Sequence, residues 1–124
     1  MAQFRSHHIA LRTPDFARAK AFYTETLGLA IVGQFPGRDV VFIDIGGTTI
    51  ELMAAPDQEP GAAGAFAHLA LQVEDVDAVY EELAAKGVPF FIEPRGSGNL
   101  RIAFFRDPDG NALELFHNPD LYWD

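Results

Sequence analysis

Apolar and polar residues alternate in His8-Ile9-Ala10-Leu11-Arg12, the period of a half-buried strand. The same alternation returns 60 residues later in His68-Leu69-Ala70-Leu71-Gln72. Behind the first run, Phe16, Ala19, Phe22, Tyr23 and Leu27 fall at helical spacing, and Gly28 suits a helix stop. Thr13-Pro14-Asp15 predicts the helix start, with Thr13 as cap, Pro14 at the first helical position and Asp15 favouring the dipole. Strands are predicted at 5–12, 29–34, 39–45 and 48–53, with turns at Pro36-Gly37 and Gly46-Gly47. The second half predicts a strand at 67–73, a helix opened by Glu74-Asp75 and stopped at Gly87, and strands at 88–93, 100–105 and 112–117. Val76, Val79, Tyr80 and Leu83 line one face of that helix. Pro94 to Gly98 and Asp107-Pro108-Asp109-Gly110 read as its turns.

The order is therefore βαβββ twice, an α+β fold in a single domain spanning 1–124. Module 1 covers about 4–54, a Pro-, Gly- and Ala-rich linker 55–65, module 2 about 66–118, and a tail 119–124. His8 and His68, like Asp15 and Asp75, are offset by 60 residues, and Glu51 and Glu114 by 63. A repeat of that length within one domain argues for pseudo-two-fold symmetry.

Alternation also assigns faces. Ile9, Leu11, Leu69, Leu71, Ile50, Leu52, Leu113 and Leu115 turn one way, towards the helices. His8, Glu51, His68 and Glu114 turn the other way, beside Ala10, Ala70 and Ala112, which leave space. Two carboxylates sharing a partly dry cleft repel, and a divalent cation would relieve the conflict. Two His and two Glu without sulfur suit Ni, Co, Zn, Mn or Fe, and four ligands on an octahedral ion leave two positions open for chemistry. The alternative is a pair of His–Glu ion pairs with no metal. His7 points away from His8 by the same alternation and reads as structural or exposed. His117, out of phase with Glu114, reads as structural. Arg12 shares the His8 face, as a substrate-anion anchor or a surface charge; Arg95 and Arg101 are weaker candidates for the same part. Glu81-Glu82 reads as solvent-facing, Phe104, Phe105 and Phe116 as core, and Asp107-Pro108-Asp109-Gly110 as a turn rather than a calcium loop.

A net charge of −9 argues against nucleic acid or an anionic membrane surface as partner. No apolar run approaches the about 18 residues of a membrane span, and the N-terminal stretch has no apolar leader pattern. The chain has 0 cysteines, which excludes disulfides, thiolate ligands and Cys nucleophiles. A cytoplasmic protein acting on a small molecule is expected, as a homodimer, since a lone open cup would leave sheet edges and apolar surface bare.

His8-Ile9-Ala10-Leu11-Arg12 with Asp15, Phe22-Tyr23 and Leu27-Gly28-Leu29 resembles the opening of the vicinal oxygen chelate superfamily. His68 to Val73 with Asp75, and Phe105 to Leu115, resemble its second module, so the resemblance spans nearly the whole chain. It implies two βαβββ modules in a glyoxalase-like open barrel, with one divalent metal ion on His8, Glu51, His68 and Glu114. Glu at the second ligand position is similar to glyoxalase I; the epimerase usually has Gln there, fosfomycin-resistance enzymes and dioxygenases use three protein ligands, and metal-free bleomycin binders lose the set. The implied activity is a lyase or isomerase that abstracts a proton next to a metal-chelated carbonyl, through an enediolate, on 2-oxoaldehyde–thiol hemithioacetals. Glu114 is the first choice of base and Glu51 the second. Arg12 matches an arginine that binds glutathione in glyoxalase I. Two departures concern that substrate: Ala55 stands where an Asn is expected, and Gly96, beside Arg95, where a Lys is expected. The alternatives are another enzyme of the superfamily, an epimerase or dioxygenase, and a non-enzymatic antibiotic-binding resistance protein.

Overall fold

The computed structural model describes residues 3, 7–57, 68–96 and 99–119. The chain forms two compact units, 1–62 and 63–124. The first contains β1 (His8–Thr13), α1 (Phe16–Ala21), β2 (Ile31–Gln34), β3 (Val40–Asp44) and β4 (Thr49–Ala54). The second contains β5 (Leu69–Gln72), α2 (Val76–Ala85), β6 (Phe90–Arg95), β7 (Arg101–Arg106) and β8 (Ala112–His117). The expected α+β order, βαβββ twice, is what the chain adopts. Each unit holds one four-stranded sheet, ordered β1-β4-β3-β2 and β5-β8-β7-β6. The first strand of each sheet runs parallel to the last, and the other pairings are antiparallel.

Burial follows the predicted alternation. Ile50, Leu52, Leu113 and Leu115 are buried on the helix side of their strands. In the first unit Ala19 and Tyr23 join them; in the second, Val76, Leu83 and Phe105 do. Phe105 is core as expected, whereas Phe104 and Phe116 are only half-buried. Glu81 and Glu82 are exposed, as expected.

The repeated aspartates are helix caps. Asp15 Oδ1 accepts from the Arg18 N–H at 3.1 Å, and Asp75 Oδ1 from the Ala78 N–H at 3.0 Å. The first helix therefore starts later than Thr13-Pro14-Asp15 suggests. The Thr13 hydroxyl bonds the Asp15 backbone instead, and Pro14 lies outside the helix. Beyond Ala21 the helix widens into a π-helical turn, Phe22–Thr26, in which the Leu27 N–H reaches back to the Phe22 carbonyl at 2.9 Å.

The strand expected at 88–93 lies two residues later, and Pro94 belongs to it rather than to the following turn. A proline is tolerated there because β6 is an outer strand, one side of which has no ladder partner among the described residues. Two of the four outer strands, β2 and β6, carry a register shift at a matching place, at Val32 and at Phe91. Most of the linker 55–65 and of the tail 119–124 lies outside the described residues. No helix among the described residues is long and apolar enough to cross a membrane.

After β6 the chain passes through Gly96 at φ +153°, where an added Cβ would collide with the backbone carbonyl of Leu100. The atoms it would meet belong to the backbone of Leu100 and Arg101, so Gly96→Ala should destabilise the fold by about 1–3 kcal/mol through strain alone. Chemical denaturation checks this, and an unchanged midpoint would show that the loop relaxes freely.

Candidate active site

Each unit brings one histidine against one glutamate. His8 Nε2 lies 3.4 Å from Glu51 Oε1, and His68 Nε2 lies 3.1 Å from Glu114 Oε1. The register explains both pairs. Glu51 is the cross-strand partner of Ala10, and Glu114 of Ala70. Each histidine stands two residues before that alanine, on the same face. The small methyl group leaves room for the glutamate to lean diagonally towards the imidazole. Within each unit no third His, Asp or Glu stands with the pair as a group that could hold a metal ion, among the described residues.

Histidine and glutamate differ in depth. Side-chain exposure is 38% for His8 and 15% for Glu51, against 40% for His68 and 10% for Glu114. The imidazoles are wet and the carboxylates are nearly dry. Burial pushes the Glu114 carboxyl above its ordinary value, with the neighbouring His68 opposing the shift.

On the other side of each glutamate stands a phenylalanine that sequence reasoning missed. Phe42 is the β3 partner of Glu51, and Phe104 the β7 partner of Glu114. Their rings meet His8 and His68 edge-to-face, with centroids 5.5 and 5.2 Å apart. Phe104, expected in the core, is thus a wall of the site. The signal was present in the spacing: Phe42 and Phe104 are 62 residues apart, nearly the offset of the glutamates. Both rings extend into a shelf, Phe42 onto Phe35 and Phe104 onto Phe91, and Arg38 and Arg106 lie over Phe35 and Phe91 respectively.

In the first unit a groove of about 440 Å³, lined by His7, Val32, Gly33, Phe42, Asp44 and Thr49, adjoins His8 through His7 and Phe42. His7 does not point away from His8. It precedes β1, so alternation does not govern it, and its ring lies 5.0 Å from that of His8.

The remaining candidates separate cleanly. Arg12 is exposed, and its guanidinium takes part in no ion pair or hydrogen bond among the described residues. Arg101 is committed elsewhere: its guanidinium grips Asp77 of α2 through Nε and Nη2 at 2.9 and 2.8 Å. That bond holds the Asp77 carboxyl below its ordinary value. Arg95 is exposed at the end of β6. His117 Nδ1 bonds the Val73 carbonyl at 3.2 Å, the structural part expected of it. In the Asp107 turn, Asp107 Oδ1 accepts from the Asp109 and Asn111 N–H groups and Oδ2 from the Asn111 amide, so the turn closes on itself. At Gly96 no side chain fits, which is why a lysine cannot stand there.

The sequence profile of the Glyoxalase/Bleomycin resistance protein/Dioxygenase superfamily matches residues 5–115. The chain belongs to that superfamily. Within the glyoxalase/bleomycin resistance/dioxygenase superfamily it is 36% identical to the uncharacterized protein YwkD of Bacillus subtilis, over 89% of this chain and 94% of that one. It is 30% identical to a probable lactoylglutathione lyase of Vibrio cholerae, over 98% of this chain and 96% of that one. Among solved structures, TnmS3, an antibiotic binding protein from Streptomyces sp. CB03234, is similar at a TM-score of 0.77 and 30% identity, over 94% of this chain and 97% of that one. One relative named for catalysis and one structure named for binding are thus each 30% identical to this chain.

Proposed function

We propose that this protein is a metal-dependent lyase or isomerase of the glyoxalase I type, with His8, Glu51, His68 and Glu114 holding one divalent ion, Ni, Co, Zn, Mn or Fe. The repeated His–Glu pair carries this reading. Ligands at right angles on an ion, each about 2.1 Å from it, stand about 3.0 Å from one another. The N···O separations of 3.4 and 3.1 Å are close to that value in both units. The donors are nitrogen and oxygen only, the set those ions accept.

A bound ion of this kind supplies Lewis-acid polarisation of a substrate carbonyl. The side chains do the rest. Glu114, nearly dry between Ala70 and Phe104, takes the proton from the carbon beside the carbonyl and returns it to the neighbouring carbon. Its dehydration strengthens it as a base. Glu51, wetter, is the second carboxylate able to do this. Arg12, on the His8 face, pairs with a substrate carboxylate. On a 2-oxoaldehyde–thiol hemithioacetal the product is a 2-hydroxyacyl thioester. The cytoplasm is the compartment this reading expects.

Four ligands require both modules, from one chain or from two copies. A homodimer is expected, because β1 and β5 are edge strands with one side unpaired among the described residues. The second reading, a binder that sequesters an antibiotic, has the likeness to TnmS3 in its favour.

Metal content decides between them. The purified protein should carry an ion by elemental analysis, lose turnover of a glutathione hemithioacetal on chelation, and regain it on reloading. A protein with no ion that takes none up on titration is the binder. A metal-loaded protein idle on hemithioacetals but active on an acyl-CoA epimer, or consuming oxygen with a catechol, is another enzyme of the superfamily.

A further inference from the structure

His7 and His8 meet through their Nδ1 atoms at 2.8 Å. At that distance one Nδ1 carries the proton and the other accepts it. His8 turns its other nitrogen, Nε2, to Glu51. Both nitrogens of His8 are therefore engaged, and in a neutral ring the state of one dictates the state of the other. His7 is itself held at two points. The Thr49 hydroxyl donates to its carbonyl oxygen at 2.8 Å, and its ring lies edge-to-face on Phe42 with centroids 6.0 Å apart.

We infer that His7 is a positioning residue for His8, setting the tautomer and orientation of its ring. This rests on the reading of His8 as a metal ligand. A ligating Nε2 must offer its lone pair, so Nδ1 must carry the proton and needs an acceptor; that outer partner is ordinarily a carboxylate, a backbone carbonyl or water. Here it is a second imidazole, which can donate as well as accept. Without an ion, His8 Nε2–H faces Glu51 and His8 Nδ1 accepts from His7 Nδ1–H. With an ion, His8 Nδ1–H donates to His7 Nδ1, and His7 carries its own proton on Nε2. Each neutral ring keeps one proton in both states, and the Nδ1–Nδ1 bond survives the change.

Among the described residues the second module shows no such device. An alanine precedes His68 in the sequence, and the contacts of His68 among the described residues are Glu114 and Phe104. The two histidine ligands are equivalent in the repeat and unequal in their support.

Long-range ¹H–¹⁵N spectra of the full chain, metal-free and loaded with Zn²⁺, test this. On loading, His8 should change from Nε2–H to Nδ1–H, and His7, although no ligand, should change from Nδ1–H to Nε2–H. His7→Ala should bind Zn²⁺ about 10-fold more weakly or worse, with its metal-free unfolding temperature unchanged. His7→Gln, which keeps an acceptor for His8 Nδ1–H, should recover most of that affinity. Wild-type affinity in His7→Ala, or an unmoved His7 tautomer on loading, would overturn the inference. If the wild type takes up no Zn²⁺, the metal reading fails on its own account. The metal-free spectra then decide: His8 must be a single Nε2–H tautomer in the wild type and mixed in His7→Ala, and any other result overturns the pairing as well.

Discussion

Glu114→Gln should lower kcat by about 10²–10⁴-fold, the contribution of a positioned general base. The amide keeps the shape of the side chain and an oxygen for His68, and it cannot take a proton from carbon. The fold should not suffer. Burial raises the Glu114 carboxyl above its ordinary value of 4.5. The folded chain therefore binds that proton more tightly than the unfolded chain, and wild-type metal-free stability falls as pH rises from about 4.5 through the raised value. A neutral amide removes this loss. The metal-free variant should be at least as stable as the wild type at neutral pH, measured by denaturant titration. A variant that keeps both its metal and the wild-type rate would transfer the base assignment to Glu51.

His8→Ala and Glu114→Ala should each abolish turnover by removing one of the four proposed ligands. The wild type should gain about 2.7 kcal/mol from an ion at a hundred times its Kd, and each variant should lose most of that metal-dependent rise in unfolding temperature. Mixing the two inactive variants gives a sharper result. In a two-fold dimer whose sites each pair module 1 of one copy with module 2 of the other, a mixed dimer has one site with both changes and one with neither. Half of randomly assembled dimers are mixed, so activity should return to about a quarter of the wild-type level. No recovery would mean that each chain completes its own site.

The shared face of His8 and Glu51 was legible because strand alternation is a hard geometric rule: with β1 and β4 paired His8 to Thr49 and Ala10 to Glu51, both side chains turn the same way. The rule also misled. It was extended to His7, which precedes the strand and turns its ring back to His8. Helix starts were half legible. Thr13, Pro14 and Asp15 are all good starting residues, and only the backbone geometry selects Asp15 as the cap. Phe42 and Phe104 escaped notice because a strand phenylalanine is apolar whether it fills a core or walls a site. Arg101 looked like an anion ligand until α2 brought Asp77 to it from 24 residues away, a tertiary contact with no local signature. The lysine missing at Gly96 reads from sequence as a lost substrate contact. Structurally it follows from a backbone that admits no Cβ.

The bulges of β2 and β6 bear on how these molecules avoid one another. An outer strand that is long, flat and apolar is a template on which further strands can add, the start of a fibril. These two outer strands each expose a large apolar side chain, Val32 at 59% and Phe91 at 47%. At each of those residues the ladder slips, so the outward backbone groups lose the even spacing an incoming strand would need. The interruption lets the chain display greasy side chains at its sheet edges without inviting polymerisation, and a net charge of −9 adds mutual repulsion between copies.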